Sequence, residues 1–158
     1  YFDPELNESY VPNVVETSIG LDRMFLAVLS TAFTEEKLED GSERTVLKFP
    51  SFLAPYKVAV LPLTKKDGLP DKARAIINTL KYDFECYYEE KDQIGKRYRR
   101  QDAIGTPFCI TVDHQTLKDN TVTIRERDTM KQERVAIDHL EKLIGDSVNV
   151  KNILKKLN

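Results

Sequence analysis

Glu16 and Arg23 lie close together near the start of the chain and carry opposite charges. Between them a β-branched run ends at Gly20, and apolar residues then recur every three or four positions. This pattern predicts a strand over 10–19, a tight turn, and a helix from Gly20 to about Phe33. The first turn of a helix offers free N–H groups to an anion, and an arginine there adds a planar donor for phosphate. A carboxylate for an ammonium group beside a cation for a phosphate would suit a site that joins an amino acid to a nucleotide.

The same spacing also fits an ordinary core helix. In that interpretation one helix face is buried and Arg23 pairs with a nearby acid, as surface arginines commonly do. The residues on the buried face would be Leu21, Met24, Phe25, Val28, Leu29 and Ala32. Spacing alone leaves both interpretations open.

A second group of charged residues surrounds Tyr98 on a helix predicted for 92–104. Unpaired RNA bases stack on aromatic rings and arginine planes, and lysine or arginine neutralises the phosphates. The group therefore predicts RNA contacts by Lys96, Arg97, Tyr98, Arg99 and Arg100. Equally open is a solvated helix face whose cations pair with Glu89, Glu90 or Asp102.

Arg125 and Arg127 extend the possible RNA surface. The segment 121–127 alternates, so Val122 and Ile124 face one way and the two arginines lie on the other, polar face. They could contact RNA, or they could form ion pairs with Glu126 or Glu133 on an exposed sheet.

Proline positions and the order of elements predict the architecture. Pro50 and Pro55 interrupt regular structure, which places a boundary between a first part, 1–52, and a second part, 53–158. The second part has the order strand, helix, strand, helix, strand, strand, helix. Helical crossovers imply parallel neighbours and consecutive strands an antiparallel pair, so we expect an α/β fold with a mixed parallel and antiparallel sheet flanked by helices.

Composition limits the classes of function. The chain has 158 residues, of which 41% are hydrophobic and 32% charged, as in a globular protein. A net charge of −2 argues against indiscriminate nucleic-acid binding, so RNA contact must come from a local basic surface. Cys86 and Cys109 are expected to be reduced thiols of a cytoplasmic protein. The histidines and cysteines predict no metal site, and the apolar runs are too short to span a membrane.

Two stretches resemble one enzyme family. The segment 12–23, Pro-Asn-Val-Val-Glu-Thr-Ser-Ile-Gly-Leu-Asp-Arg, resembles the third signature motif of class II aminoacyl-tRNA synthetases, and specifically the dimeric glycyl-tRNA synthetases. The second part resembles the C-terminal anticodon-binding domain shared by the glycyl, histidyl, prolyl and threonyl enzymes. The residues that carry this second likeness are Ile94-Gly95-Lys96-Arg97-Tyr98, Gln101-Asp102, Ile104-Gly105-Thr106-Pro107-Phe108 and Thr123-Ile124-Arg125-Glu126-Arg127-Asp128.

The resemblance implies ATP-dependent attachment of glycine to tRNA(Gly). The glycine substrate would lie against Glu16, Thr17, Ser18, Ile19 and Gly20. ATP would lie against Gly20, Leu21, Asp22 and Arg23, with Arg23 as the catalytic phosphate clamp. The full enzyme would use ATP and Mg²⁺ and form a homodimer through its catalytic domain.

For the present chain the resemblance implies a narrower role. The first 52 residues would be the end of the catalytic domain, and the remainder would bind the anticodon loop. Because the other two class signatures are absent, we expect no bound cofactor and no aminoacylation by this segment alone. Two alternatives are a non-catalytic nucleic-acid-binding module of synthetase descent and a protein-interaction module.

Overall fold

The computed structural model describes residues 1–155, which contain nine strands, six α-helices and two short 3₁₀ helices. The strands are β1 (Phe2–Asp3), β2 (Glu8–Ser9), β3 (Phe33–Lys37), β4 (Glu43–Leu47), β5 (Val58–Pro62), β6 (Cys86–Tyr88), β7 (Phe108–Val112), β8 (Thr121–Glu126) and β9 (Gln132–Ala136). The helices are α1 (Leu21–Ala32), α2 (Leu69–Leu80), α3 (Ile94–Ile104), α4 (Thr116–Asp119), α5 (Leu140–Val148) and α6 (Val150–Leu154). The spacing of Val150, Ile153, Leu154 and Leu157 predicts a last helical turn or two, which α6 confirms; Leu157 lies outside the described residues.

The first part differs from its prediction in two respects. The strand expected over 10–19 is wrong: β1 and β2 form a short hairpin, and the exposed residues that follow have no regular structure up to α1. A strand needs a hydrogen-bonding neighbour, and among the described residues the backbone pairing stops at Tyr10, which bonds to Tyr1. Helix α1 is confirmed, but its predicted buried face is not, since Leu21, Met24 and Phe25 are exposed and only Ala32 is buried.

Strands β3 and β4 form an antiparallel hairpin that packs against α3. Phe33 pairs with Leu47 at the open end, and Lys37 pairs with Glu43 beside the turn. The sequence Asp40-Gly41-Ser42 predicts a turn between two short strands. The turn is confirmed, because Asp40 accepts a hydrogen bond from the Ser42 N–H at 2.9 Å and Gly41 has φ +79°. Strand β4 contacts α3, and this contact attaches the hairpin to the second part of the chain.

The central sheet has five strands in the order β6-β5-β7-β8-β9. Strand β5 is parallel to both β6 and β7. Strand β8 is antiparallel to both of its neighbours, β7 and β9. This confirms the mixed α/β sheet. Strand β9 was not predicted, because Gln132–Ala136 is mostly polar. The sequence also predicts a helix through Ala136, Leu140, Leu143 and Ile144 that ends at Gly145, whereas α5 begins at Leu140 and contains Gly145.

The two faces of the sheet differ in their cover. Helices α2 and α5 cover one face and bury the main core, which includes Val58, Ile110 and Ile144. On the other face Ile94 and Tyr98 of α3 pack on a smaller apolar cluster of β5 and β7. Beyond α3, the residues of β8 and β9 on that face remain partly open: Thr121, Thr123, Gln132 and Arg134. An open polar strip of sheet therefore adjoins α3.

Candidate nucleic-acid interface

An open groove lies between α3 and the linked ends of β8 and β9. Its volume is about 340 Å³, and it follows the polar strip at the edge of α3. The lining residues are Gly95, Lys96, Tyr98, Arg99, Arg125, Met130 and Gln132. The groove therefore combines three cationic residues with an aromatic ring, which are groups that bind the phosphates and bases of unpaired RNA, and Met130 adds apolar surface.

Tyr98 and Arg125 form the floor of the groove. The Arg125 guanidinium lies 4.9 Å from the centroid of the Tyr98 ring, and the Tyr98 hydroxyl hydrogen-bonds to Thr111. Burial raises the pKa of Tyr98 above its ordinary value. Arg125 is only 4% exposed, which makes it a fixed part of the floor. For Arg125 this corrects the alternative of ion pairs with Glu126 or Glu133 on an exposed sheet, because its partner is Asp102.

Asp102 holds Arg125 in this position. The carboxylate is completely buried and accepts hydrogen bonds from both Arg125 Nη atoms, at 2.7 and 2.9 Å. Arg44 of β4 donates to the same carboxylate at 3.1 Å. Burial alone would lower the pKa of Arg125, but the hydrogen bonds and charge of Asp102 outweigh it and raise that pKa. The sequence leads us to expect that Asp102 caps or pairs locally, whereas its hydrogen-bond partners lie 58 and 23 positions away, in β4 and β8.

Lys96 and Arg99 form the rim. Lys96 is exposed, and the Arg99 side chain is 39% exposed. Arg99 Nη1 lies 3.9 Å from the Asp102 carboxylate and 4.0 Å from the Met130 sulfur, so neither contact is a strong hydrogen bond. Both rim cations therefore have N–H groups that could donate hydrogen bonds to a phosphate or to a base edge.

The other three predicted arginines have partners within the chain. Arg97 is 1% exposed, and its Nη1 donates to the carbonyls of Pro62 and Glu89, at 2.7 and 3.1 Å. Burial lowers the pKa of Arg97, and its Nε has no partner among residues 1–155. These contacts tie α3 to the carboxyl ends of β5 and β6, which is a structural role.

Arg127 and Arg100 are likewise engaged. Arg127 is 3% exposed and donates to the carbonyls of Gly105 and Phe49, both at 2.8 Å. Arg100 lies 2.8 Å from Glu89, which confirms for this residue the interpretation that the helix cations pair with neighbouring acids. The sequence thus predicted a helix that lines the groove, but it did not separate buried from available cations.

Three residues of this region were not foreseen. Met130 and Gln132 enter the groove because the turn after β8 folds back into β9, with Met130 at φ +57°. Arg44 reaches Asp102 from the hairpin, across 58 positions of sequence. The alternation of Arg44 with Val46 in β4 was the available signal, because it puts both side chains on the buried face.

The first predicted site is not brought together into a pocket. Residues from Glu16 to Arg23 are all exposed, and Gly20 precedes α1 without a side-chain cap. The free N–H groups of the first turn and Arg23 suit a phosphate chemically, but the described residues do not enclose one. Within 1–155 no group of three or more His, Cys, Asp or Glu side chains could hold a metal ion.

A larger groove, of about 440 Å³, lies on the opposite face of the sheet beside α5. Glu126 and Glu133 line it, against a single cation, Lys131. Two carboxylates would repel phosphates, so charge favours the smaller groove for a nucleic acid. No helix among residues 1–155 is long and apolar enough to cross a membrane.

Comparison with known families defines the class of protein. The family described as "Anticodon binding domain" matches residues 57–146, which include α3 and all five strands of the sheet. The chain belongs to the anticodon-binding-domain family. Two solved structures share the fold: the RNA binding domain of threonyl-tRNA synthetase from Cryptosporidium parvum and prolyl-tRNA synthetase from the same organism. Their TM-scores are 0.58 and 0.59, at 22% and 16% identity over 63% and 78% of this chain and 25% and 32% of theirs.

Sequence relatives then narrow the class. The chain is 53% identical over 148 residues to a glycine–tRNA ligase of Clostridium tetani, and 50% identical over 140 residues to that of Borrelia hermsii. These matches cover 94% and 89% of this chain but only 32% of each relative. The chain therefore spans about a third of the length of the curated relatives. The resemblance to glycyl-tRNA synthetases is confirmed.

Proposed function

We propose that the chain binds the anticodon loop of tRNA(Gly) through the groove between α3 and β8–β9. The observation that carries this proposal is the rim of Lys96 and Arg99 above a fixed floor of Tyr98 and Arg125. Anticodon bases are unpaired and can turn outward to stack, while phosphates follow the cations. Of the predicted RNA-binding residues, Lys96 and Arg99 act as direct contacts, whereas Arg97 and Arg127 support the fold.

The parent activity proposed is that of a glycine–tRNA ligase. Half-identical relatives carry that name, and the chain retains Glu16 and Arg23, which a non-catalytic relative has no need to keep. In this role Glu16, Thr17, Ser18, Ile19 and Gly20 would contact glycine, and Gly20, Leu21, Asp22 and Arg23 would contact ATP. ATP would activate the glycine carboxylate, and Mg²⁺ and Arg23 would neutralise negative charge on the ATP phosphates.

The division of labour along the chain follows from this assignment. Residues 1–52 would belong to the catalytic domain and 53–158 to the RNA-binding domain, with homodimerisation through catalytic regions that this chain does not contain. By itself the present segment would bind tRNA without charging it. The exposed apolar face of α1 supports this division, since a helix of that composition ordinarily packs against more protein.

Fluorescence anisotropy with labelled anticodon stem-loops tests the RNA-binding function. The parent chain is titrated with the glycine stem-loop and with one whose anticodon is exchanged. Lys96→Ala and Arg99→Ala are each expected to weaken binding of the glycine stem-loop by about fivefold, equivalent to about 1 kcal/mol, and to lower its salt dependence. Lys142→Ala, an exposed cation on α5, is the matched control and should bind like the parent.

Discrimination between the two stem-loops separates this function from its alternatives. Tighter binding of the glycine anticodon, lost in the rim variants, would support an anticodon reader. Equal, salt-sensitive binding of both stem-loops would instead indicate a surface for any polyanion, as expected of a protein-interaction module with an acidic partner.

A further inference from the structure

Arg44 and Arg99 approach the same oxygen of Asp102 from two different elements. Nη1 of Arg44 donates to Oδ2 at 3.1 Å, and Nη1 of Arg99 lies 3.9 Å from that atom. Arg44 is buried in β4, whereas Arg99 stands at the groove rim. Asp102 therefore holds one cation by a hydrogen bond and leaves the other just outside hydrogen-bonding distance.

We propose that Arg44 is a positioning residue for RNA binding, which occupies Oδ2 of Asp102 and so keeps Arg99 available at the rim. This role presupposes the RNA-binding function proposed above. It assigns the β3–β4 hairpin to the functional unit, although Arg44 lies outside the residues 57–146 that match the family.

Competition for the buried carboxylate gives the physical reason. A carboxylate removed from water is unstable without partners, and losing one favours recruitment of the nearest remaining cation. Arg125 already uses both Nη atoms on Asp102, so Arg99 is the nearest further cation among the described residues. Its Nη1 need only close from 3.9 Å to about 3 Å to form the bond. That movement would turn its donors away from the groove.

Further contacts show that Arg44 is fixed in this position. Its Nε donates to Glu36 at 2.6 Å, and its Nη1 also donates to the carbonyl of Arg127 at 2.9 Å. The guanidinium thereby joins the hairpin, α3 and the end of β8. A side chain held from three directions can act as a fixed competitor for Oδ2.

A double-mutant cycle on the 158-residue chain tests this role. Arg44→Met, Arg99→Ala and the double variant are titrated with the glycine stem-loop, after circular dichroism and thermal unfolding establish that each is folded. Arg44→Met and Arg99→Ala are each expected to weaken binding about fivefold, and the double variant should lie within about twofold of Arg99→Ala alone. Lys37→Met, an exposed cation of the same hairpin, is the control and should leave binding unchanged.

The outcomes separate positioning from general destabilisation. Independent losses that multiply to about 25-fold in the double variant would overturn the role, as would unchanged binding by folded Arg44→Met. If Arg44→Met does not fold, Arg44→Lys replaces it in both backgrounds; a loss seen only when Arg99 is present supports the role, and equal losses overturn it. Failure of the parent chain to bind the stem-loop would remove the RNA-binding function together with this role.

Discussion

At the scale of single residues, Asp113 and Arg134 fix the open polar face of the sheet. Arg134 of β9 reaches across β8 and donates both Nη atoms to Asp113, at the end of β7. The Arg134 hydrogen bond is the main cause that lowers the pKa of Asp113 to about 2, from an ordinary 3.8. The ion pair thereby joins three neighbouring strands beside the groove.

Asp113→Asn should lower the free energy of unfolding at pH 7 by about 1 kcal/mol, after allowance for solvent screening at this partly exposed site. A carboxyl with a depressed folded-state pKa stabilises the protein above its unfolded pKa, and that contribution disappears as pH falls towards 2. Urea unfolding across pH 7 to 2 measures the difference. Parent and variant should converge at the acid end, and a constant difference would contradict the ion-pair explanation. Asp146→Asn, an exposed carboxyl on α5, is the control.

Residue burial was the part of the site that the sequence could not decide. Six cationic residues were candidates for RNA contact. An arginine can serve equally as a hydrogen-bond donor at the surface or as a buried residue that supports the fold. Arg97 and Arg127 are buried because they satisfy carbonyl groups brought together only by the fold. Because such partners come from distant segments of the chain, no local sequence pattern predicts them.

At the scale of elements, α3 is terminated against the β3–β4 hairpin. Gly105 ends α3 with φ +82°, a conformation that glycine adopts readily. A Cβ at this position would lie 2.6 Å from Cδ2 of Phe49 and 2.8 Å from the carbonyl oxygen of Leu47. The close approach of α3 to the chain after β4 therefore requires glycine.

Gly105→Ala should reduce the free energy of unfolding by about 2–4 kcal/mol, because left-handed backbone strain adds to overpacking. Gly41→Ala provides a matched comparison, since Gly41 also has positive φ but a Cβ there would meet no described atom within 4 Å. That control should cost only about 1–2 kcal/mol. Equal losses in urea unfolding would show that the contact with Phe49 and Leu47 is unimportant.

Periodic elements were predictable, and unpartnered or polar ones were not. Helices α1, α2 and α3 and strands β5, β7 and β8 follow from apolar spacing and from glycine and proline at their ends. Strand β9 was not predicted because its residues are mostly polar. The strand expected over 10–19 did not form, because a β-branched run is not stable as a strand without a hydrogen-bonded neighbour.

At the scale of the whole molecule, the chain is weakly acidic yet presents a local basic rim. The net charge of −2 disfavours general attraction to nucleic acids, whereas Lys96 and Arg99 concentrate positive charge at one groove. The acidic groove beside α5 lies on the opposite face. This asymmetry predicts that RNA approaches the α3 face only.

Mapping of RNA contacts by NMR tests the central claim most directly. A ¹⁵N-labelled 158-residue chain is titrated with the glycine anticodon stem-loop, and amide shifts are followed by residue. The largest changes are expected in 95–99 and 123–132, around the groove and the open strip of β8 and β9. Changes confined to the α2 and α5 face, or no changes at RNA concentrations that saturate binding, would contradict assignment of the groove as the anticodon site.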